Sequence, residues 1–291
     1  MTDDTGASPK RRSRPLRTAA IALVSIVGLV SMMGFTGLLE HMLVYYPSRA
    51  EFPTPDPYED VSFPTSDGLT LHGWFIPARG VEGPAPTVLH THGNAGAIPE
   101  HEPFVSWLAA HGYNVLLFDY RDYGRSDRSP RLRNREDFID DGLAAYEYLL
   151  SREDVVRDRV ALLGFSLGAA IGSNVAARQE GISAVVLCAG FSSFPAVASD
   201  YVPLLGAVVM PGGSAPAEAV AALGDRPLLI VHGDSDGIVN KRHAGILRDA
   251  AESAGVPTEF HIEPGADHNG LLLEQTVRSR VLRFLEDWRG G

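Results

Sequence analysis

Between residues 87 and 262 short apolar runs alternate with stretches in which apolar side chains recur every three or four positions. Thr87–Thr91, Tyr113–Phe118, Val160–Phe165, Ser183–Cys188, Pro227–Val231 and Thr258–Ile262 have the length and composition of buried strands. Residues 99–111 and 135–150 read as helices; in the second, Ile139, Leu143, Tyr146 and Leu150 share one face. After the last strand Leu273, Val277, Val281 and Phe284 repeat at helical spacing. Strands and helices in this alternation predict a mostly parallel sheet covered on both faces, with any site at the carboxyl ends of the strands. Ahead of it, Val61–Thr65, a Ser66-Asp67-Gly68 turn and Leu69–Ile76 read as an antiparallel hairpin, which brings the expected sheet to eight strands.

The alternation is broken in two places. Thr18–Leu39 is an uncharged run of 22 residues, about 33 Å long as a helix against a hydrocarbon core of about 30 Å. Lys10, Arg11, Arg12, Arg14 and Arg17 precede it, whereas Glu40, Glu51 and Asp56 follow with only Arg49 opposing them. That asymmetry predicts a single-pass membrane anchor with a basic cytoplasmic tail (1–17), a span (18–39), a Pro-rich linker (40–59) and an extracytoplasmic domain (60–291). A cleaved signal is the competing reading, but the apolar core is long for one and no clean small-residue cleavage site follows. Tyr45 and Tyr46 suit either a membrane–water interface or packing against the hairpin. The second break, residues 191–225, holds Pro195, Pro203, Pro211 and Pro216 around the apolar stretch Val202–Met210. It reads as a small cap overhanging the site, which suggests an apolar substrate, or else as a loop tucked into the core.

Charge and cysteine narrow the class. The chain of 291 residues carries a net charge of −11, and since residues 1–17 carry +3, the remainder carries about −14, which argues against a nucleic-acid partner. Cys188 is the single cysteine, so no internal disulfide forms.

The chemistry centres on Gly164-Phe165-Ser166-Leu167-Gly168, where an apolar strand stops and small residues follow. Strand, tight turn and helix in that order lift a serine hydroxyl above the sheet, and the flanking glycines stand where side chains would collide. A serine nucleophile needs a base, an acid and oxyanion donors, the partners following in the order acid, then histidine. His268 ends the last strand, in Gly265-Ala266-Asp267-His268, and is the expected general base. Asp234 and Asp236, after the fifth strand of the alternation, compete for the acid; spacing does not choose between them. The expected oxyanion donors are the backbone N–H groups of Leu167 and of Asn94, in the loop after the first buried strand. His101 and His243, on expected helices, read as solvated. His90 and His92 raise a rival, since imidazoles at i and i+2 point one way and could hold a metal with His232, Asp236 and His268. That rival leaves the glycine–serine turn, and the glycine after His92, without a purpose.

His92-Gly-Asn-Ala-Gly96, Asp119-Tyr-Arg-Asp-Tyr-Gly-Arg-Ser126, Gly164-Phe-Ser-Leu-Gly168, His232-Gly-Asp-Ser-Asp236 and Gly265-Ala-Asp-His268 together resemble the α/β-hydrolase superfamily. More narrowly the chain is similar to the membrane-anchored Bem46-like serine hydrolases over roughly residues 40–288. The resemblance implies an α/β-hydrolase fold, selects Asp236 over Asp234, and makes 119–126 a structural loop beside the site. Where family members commonly have glycine this chain has Asp122, which tolerates a left-handed backbone better than most residues. Expected, then, is a membrane-anchored serine hydrolase with Ser166, Asp236 and His268 as triad, cleaving small-molecule or lipid-like acyl esters or thioesters with neither metal nor organic cofactor. Peptidase or amidase activity on the same fold, or a silent anchored binding protein, are the alternatives.

Overall fold

A computed structural model describes residues 14–35, 37–50, 52–203 and 205–290; the basic stretch Lys10, Arg11 and Arg12 of the expected tail lies outside them. In chain order the elements are α1 (Arg14–Phe35), α2 (Leu38–Leu43), β1 (Tyr46–Pro47), β2 (Glu59–Pro64), β3 (Thr70–Ile76), β4 (Ala85–Thr91), β5 (Ala95–Gly96), α3 (Ile98–Val105), β6 (Asn114–Phe118), α4 (Arg135–Ser151), β7 (Val155–Phe165) and α5 (Leu167–Arg178). They continue as β8 (Ile182–Cys188), α6 (Phe194–Tyr201), α7 (Gly206–Val209), α8 (Pro216–Ala221), β9 (Leu228–Gly233), α9 (Arg242–Ser253), β10 (Thr258–Glu263) and α10 (Gln275–Gly290).

Eight strands form one sheet in the order β10-β9-β8-β7-β4-β6-β3-β2. The run from β10 to β6 is parallel, and β3 joins it antiparallel to both β6 and β2. The period of two explains why the central strands read as continuous apolar runs. In β7, Val160 and Leu162 enter one core with Phe138 of α4, Ile171 of α5 and Leu247 of α9, while Ala161, Leu163 and Phe165 enter the other with Phe104 of α3 and Val281 and Phe284 of α10. Leu273, expected on the last helix, instead lies exposed in a 3-10 turn before it.

The expected anchor is built differently. Residues 18–35 of the uncharged run lie in α1, about 27 Å of helix, and Gly37, left-handed at φ 74°, stands at the N-cap of α2. Among the described residues no helix is long and apolar enough to cross a membrane. Glu40, expected as a flanking charge, is buried in α2 and paired with Arg135 at 2.6 Å. Tyr45 is buried edge-on against Phe138, and Tyr46 is exposed. Residues 38–48 are therefore docked on the domain.

Loop 119–126 is braced from below. Arg121, buried, meets Asp141 through Nε at 2.9 Å and Nη2 at 2.7 Å, Asp137 at 3.3 Å and Asp67 at 2.9 Å. Asp122 takes the left-handed conformation (φ 71°), and its carboxylate accepts from the Ser129 N–H at 3.1 Å. Aspartate thus serves at this turn in place of glycine.

Candidate active site

Ser166 sits between β7 and α5 with φ 56° and ψ −117°, a conformation that costs a non-glycine residue of order 1–3 kcal/mol and persists only where the surroundings impose it. Those surroundings are backbone. A Cβ on Gly168 would stand 1.9 Å from the Thr91 carbonyl oxygen, and one on Gly164 would stand 2.5 Å from the Gly168 oxygen. The two glycines therefore let β4, β7 and α5 close on one another, with the Thr91 hydroxyl donating to the Gly168 carbonyl at 2.8 Å.

Onto this turn the structure brings two residues from later strand ends. His268 Nε2 lies 2.9 Å from Ser166 Oγ, and His268 Nδ1 lies 2.7 Å from Asp236 Oδ2. A carboxylate accepts only, so Nδ1 carries the proton and Nε2 presents a lone pair to the serine hydroxyl. Asp236 Oδ1 accepts from the N–H groups of Ile238 and Val239 at 2.9 and 2.8 Å. Burial pushes the Asp236 carboxyl upward, but hydrogen bonds from His232, His268 and Val239 and the nearby His268 outweigh it and hold the group far below the usual carboxylate range. Asp234, which spacing left open, points elsewhere: it accepts from the Gly265 N–H at 2.7 Å and braces the histidine loop.

The sequence offered His232 as a possible metal ligand and as the first residue of the His232-Gly-Asp-Ser-Asp236 motif, not as a partner of Asp236. His232 is fully buried, with Nε2 2.9 Å from the Val239 carbonyl and 3.2 Å from Asp236 Oδ2. It donates to both, which makes it a second donor behind the acid. Its place two residues before Asp234, at the end of β9, was the available signal.

Leu167 opens α5, so its N–H has no partner within the helix. Asn94 lies in the loop after β4, whose start abuts the first turn of α5. His90 and His92 do point to one side, but into the core beside His101, with Nδ1 atoms on the Leu163 and Gly93 carbonyls at 2.9 and 2.8 Å. His101 and His243, expected in solvent, are both buried. A histidine turns inward on a helix where partners await it: Ala95 O stands 2.9 Å from His101 Nε2, and Ser192 Oγ and Asp200 stand 2.9 and 3.0 Å from His243. Burial lowers His90 to about 3 and drives His92 and His101 below their ordinary values, so these three rings are neutral. Among the described residues no three His, Cys, Asp or Glu side chains are placed to share a metal. Glycine follows His92 because a Cβ there would crowd the His101 and Phe165 rings at 3.2 and 3.3 Å.

The comparisons agree with this architecture. A family model described as the alpha/beta hydrolase fold matches residues 86–209. Protein YfhR of Escherichia coli (strain K12) is 35% identical over 253 residues, covering 83% of this chain and 87% of its own. Protein bem46 of Schizosaccharomyces pombe is 26% identical over 279 residues, covering 91% and 92%. Among solved structures, the Pyrococcus furiosus esterase Pf2001 superposes with a TM-score of 0.70 at 23% identity, covering 85% of this chain and 98% of that one. The chain belongs to the α/β-hydrolases, in their Bem46-like branch.

Proposed function

We propose that this hydrolase cleaves carboxylic esters or thioesters through an acyl-enzyme on Ser166. The observation that carries the reading is the continuous line from Asp236 through His268 to Ser166 Oγ, with links of 2.7 and 2.9 Å. Oγ attacks the acyl carbon as its proton passes to His268 Nε2, and Asp236 stabilises the imidazolium. The N–H groups of Asn94 and Leu167 receive the charge that develops on the carbonyl oxygen. Collapse of the tetrahedral species breaks the acyl–oxygen or acyl–sulfur bond, the leaving group takes the proton from His268, and water repeats the sequence to free the acid. The fold shared with a P. furiosus esterase is consistent with this chemistry. A fluorophosphonate probe should label the wild-type protein stoichiometrically and leave Ser166→Ala unlabelled. A wild type that stays unlabelled while folded overturns the reading.

The substrate we assign is a small-molecule ester with an apolar, lipid-like acyl chain, taken at a membrane surface that the N-terminal part of the chain faces, the catalytic domain lying on the extracytoplasmic side. Two surfaces support this. Tyr201, Val202 and Leu205 in the cap and Ile238 in the acid loop are exposed large hydrophobics joined by the Tyr201 hydroxyl, which donates to the Ile238 carbonyl at 2.6 Å. Ile21, Leu23, Val24, Ile26 and Leu29 of α1 are likewise exposed. Turnover of p-nitrophenyl esters should rise from acetate to octanoate, and protease added to intact cells should remove the catalytic domain. Falling rates along the series contradict the substrate, and full protection of residues 40–291 contradicts the placement.

A further inference from the structure

The segment between α2 and the hairpin looks like a tether in the sequence, yet the structure lays it along the loop that carries Asn94. β1 pairs in parallel with β5, with Tyr46 opposite Ala95 and Pro47 opposite Gly96. The Tyr46 N–H donates to the Asn94 carbonyl at 2.8 Å, the Ser48 N–H donates to the Gly96 carbonyl at 2.9 Å, and the Asn94 side-chain amide returns a bond to the Val44 carbonyl at 3.0 Å. The Tyr123 hydroxyl also donates to the Asn94 carbonyl, at 2.7 Å. Asn94 thus has its side chain and the peptide that follows it fixed from outside, mainly by residues 44–48.

The strap is itself pinned. Glu40 accepts from the Arg135 side chain, from the Arg135 backbone N–H at 2.8 Å and from the Tyr45 hydroxyl. The Arg135 guanidinium lies 3.8 Å from the Phe194 ring centroid in the cap and donates to the Gly213 carbonyl at 2.9 Å. Both members of this ion pair are buried, so breaking it leaves an uncompensated charge. One buried arginine therefore joins the strap to the cap.

We propose that Val44–Ser48 is a positioning strand for the oxyanion loop, locked by Glu40 and Arg135, and that the Asn94 N–H is aligned for catalysis only while the strap is docked. The proposal rests on the serine-hydrolase reading above, in which Asn94 supplies an oxyanion donor. Tyr46, Ser48, Glu40 and Arg135 are positioning residues; none touches the reacting atoms. Misplacing a donor weakens only the interaction with the charged tetrahedral species, so the effect belongs in kcat rather than KM.

The test uses full-length Tyr46→Pro, which deletes the N–H that holds the Asn94 carbonyl, beside Tyr46→Phe, which keeps it. Active sites are counted by the end point of fluorophosphonate labelling, and kcat, KM and the affinity for a trifluoromethyl ketone, whose hemiketal places an oxyanion in the same position, are measured below the melting transition. Removing an oxyanion donor outright costs about 10²–10³-fold in kcat, so displacing one should cost Tyr46→Pro about 10–100-fold. KM should stay near wild type, ketone affinity should weaken in step with kcat/KM, and Tyr46→Phe should behave as wild type. If Tyr46→Pro does not fold, Asn94→Ala, which keeps the backbone N–H but loses the bond to Val44, should show the same coupled loss at smaller size. Folded variants with wild-type kcat, or with kcat lost and ketone affinity intact, overturn the strap while leaving the hydrolase reading standing. A wild type that neither labels nor turns over overturns both.

Discussion

Asp236→Asn should lower kcat by about 10⁴-fold, close to 5 kcal/mol of transition-state stabilisation, while the protein stays folded. The asparagine would fill the same space, but its amide can present N–H to His268 Nδ1, which favours the tautomer whose Nε2 carries the proton and cannot receive one from Ser166. His232 would not be orphaned, because its Nε2 proton still reaches the Val239 carbonyl at 2.9 Å. Asp234→Asn is the matched control, since that carboxylate serves the Gly265 N–H and not the imidazole; its turnover should remain close to wild type. Ser166→Ala and His268→Ala should each cost on the order of 10⁶-fold, and the double variant little more, because the residues act as a unit. Measured kcat values in which Asp234→Asn suffers and Asp236→Asn does not would refute the assignment of the acid.

The second large effect concerns stability. Arg121→Met should destabilise the domain by about 3–5 kcal/mol, because removing one member of a buried ionic cluster strands the others. Asp141 has no exposed surface, takes two bonds from the Arg121 side chain and one from its backbone N–H, and would keep only the last. Asp137 would retain Arg131 at 2.7 Å, and Asp67 is partly solvated, so most of the cost falls on Asp141. For a domain of this size the loss corresponds to a melting temperature lower by roughly 6–20 °C. Arg131→Ala, at an exposed position of the same cluster, should shift it little. Thermal unfolding followed by circular dichroism decides this: equal shifts for the two variants would mean that burial of the ion cluster is not what matters.

The strands of the sheet were readable because parallel strands buried on both faces leave contiguous apolar runs, and β4, β6, β8, β9 and β10 fall within one or two residues of those runs. The meeting of Ser166, Asp236 and His268 was readable for a related reason: in such a sheet the strand ends converge, so a serine, an aspartate and a histidine that each follow a strand are candidates to meet. The two-residue pairing of β1 with β5 has no periodicity to find, since its register is set by the fold around it. Glu40 looked like a flanking charge because its partner, Arg135, lies 95 residues away. His101 and His243 were misread because helical position says nothing of a carbonyl or carboxylate waiting on the inward side. Part of the expected cap is also body: Ala219 and Val220 of α8 are buried, whereas Tyr201, Val202 and Leu205 face solvent.

Ser166 follows β7 and His268 follows β10, three places away across the sheet and 102 residues later in the chain. A partially synthesised or partially refolded chain can hold most of its helices and still lack the contact between Ser166 and His268, because the histidine is not in place until β10 has docked at the rim. Recovery of turnover after dilution from denaturant therefore times the arrival of the last strand, whereas ellipticity times the events before it. The same arrangement keeps the growing polypeptide from assembling this site until nearly all of it has been made.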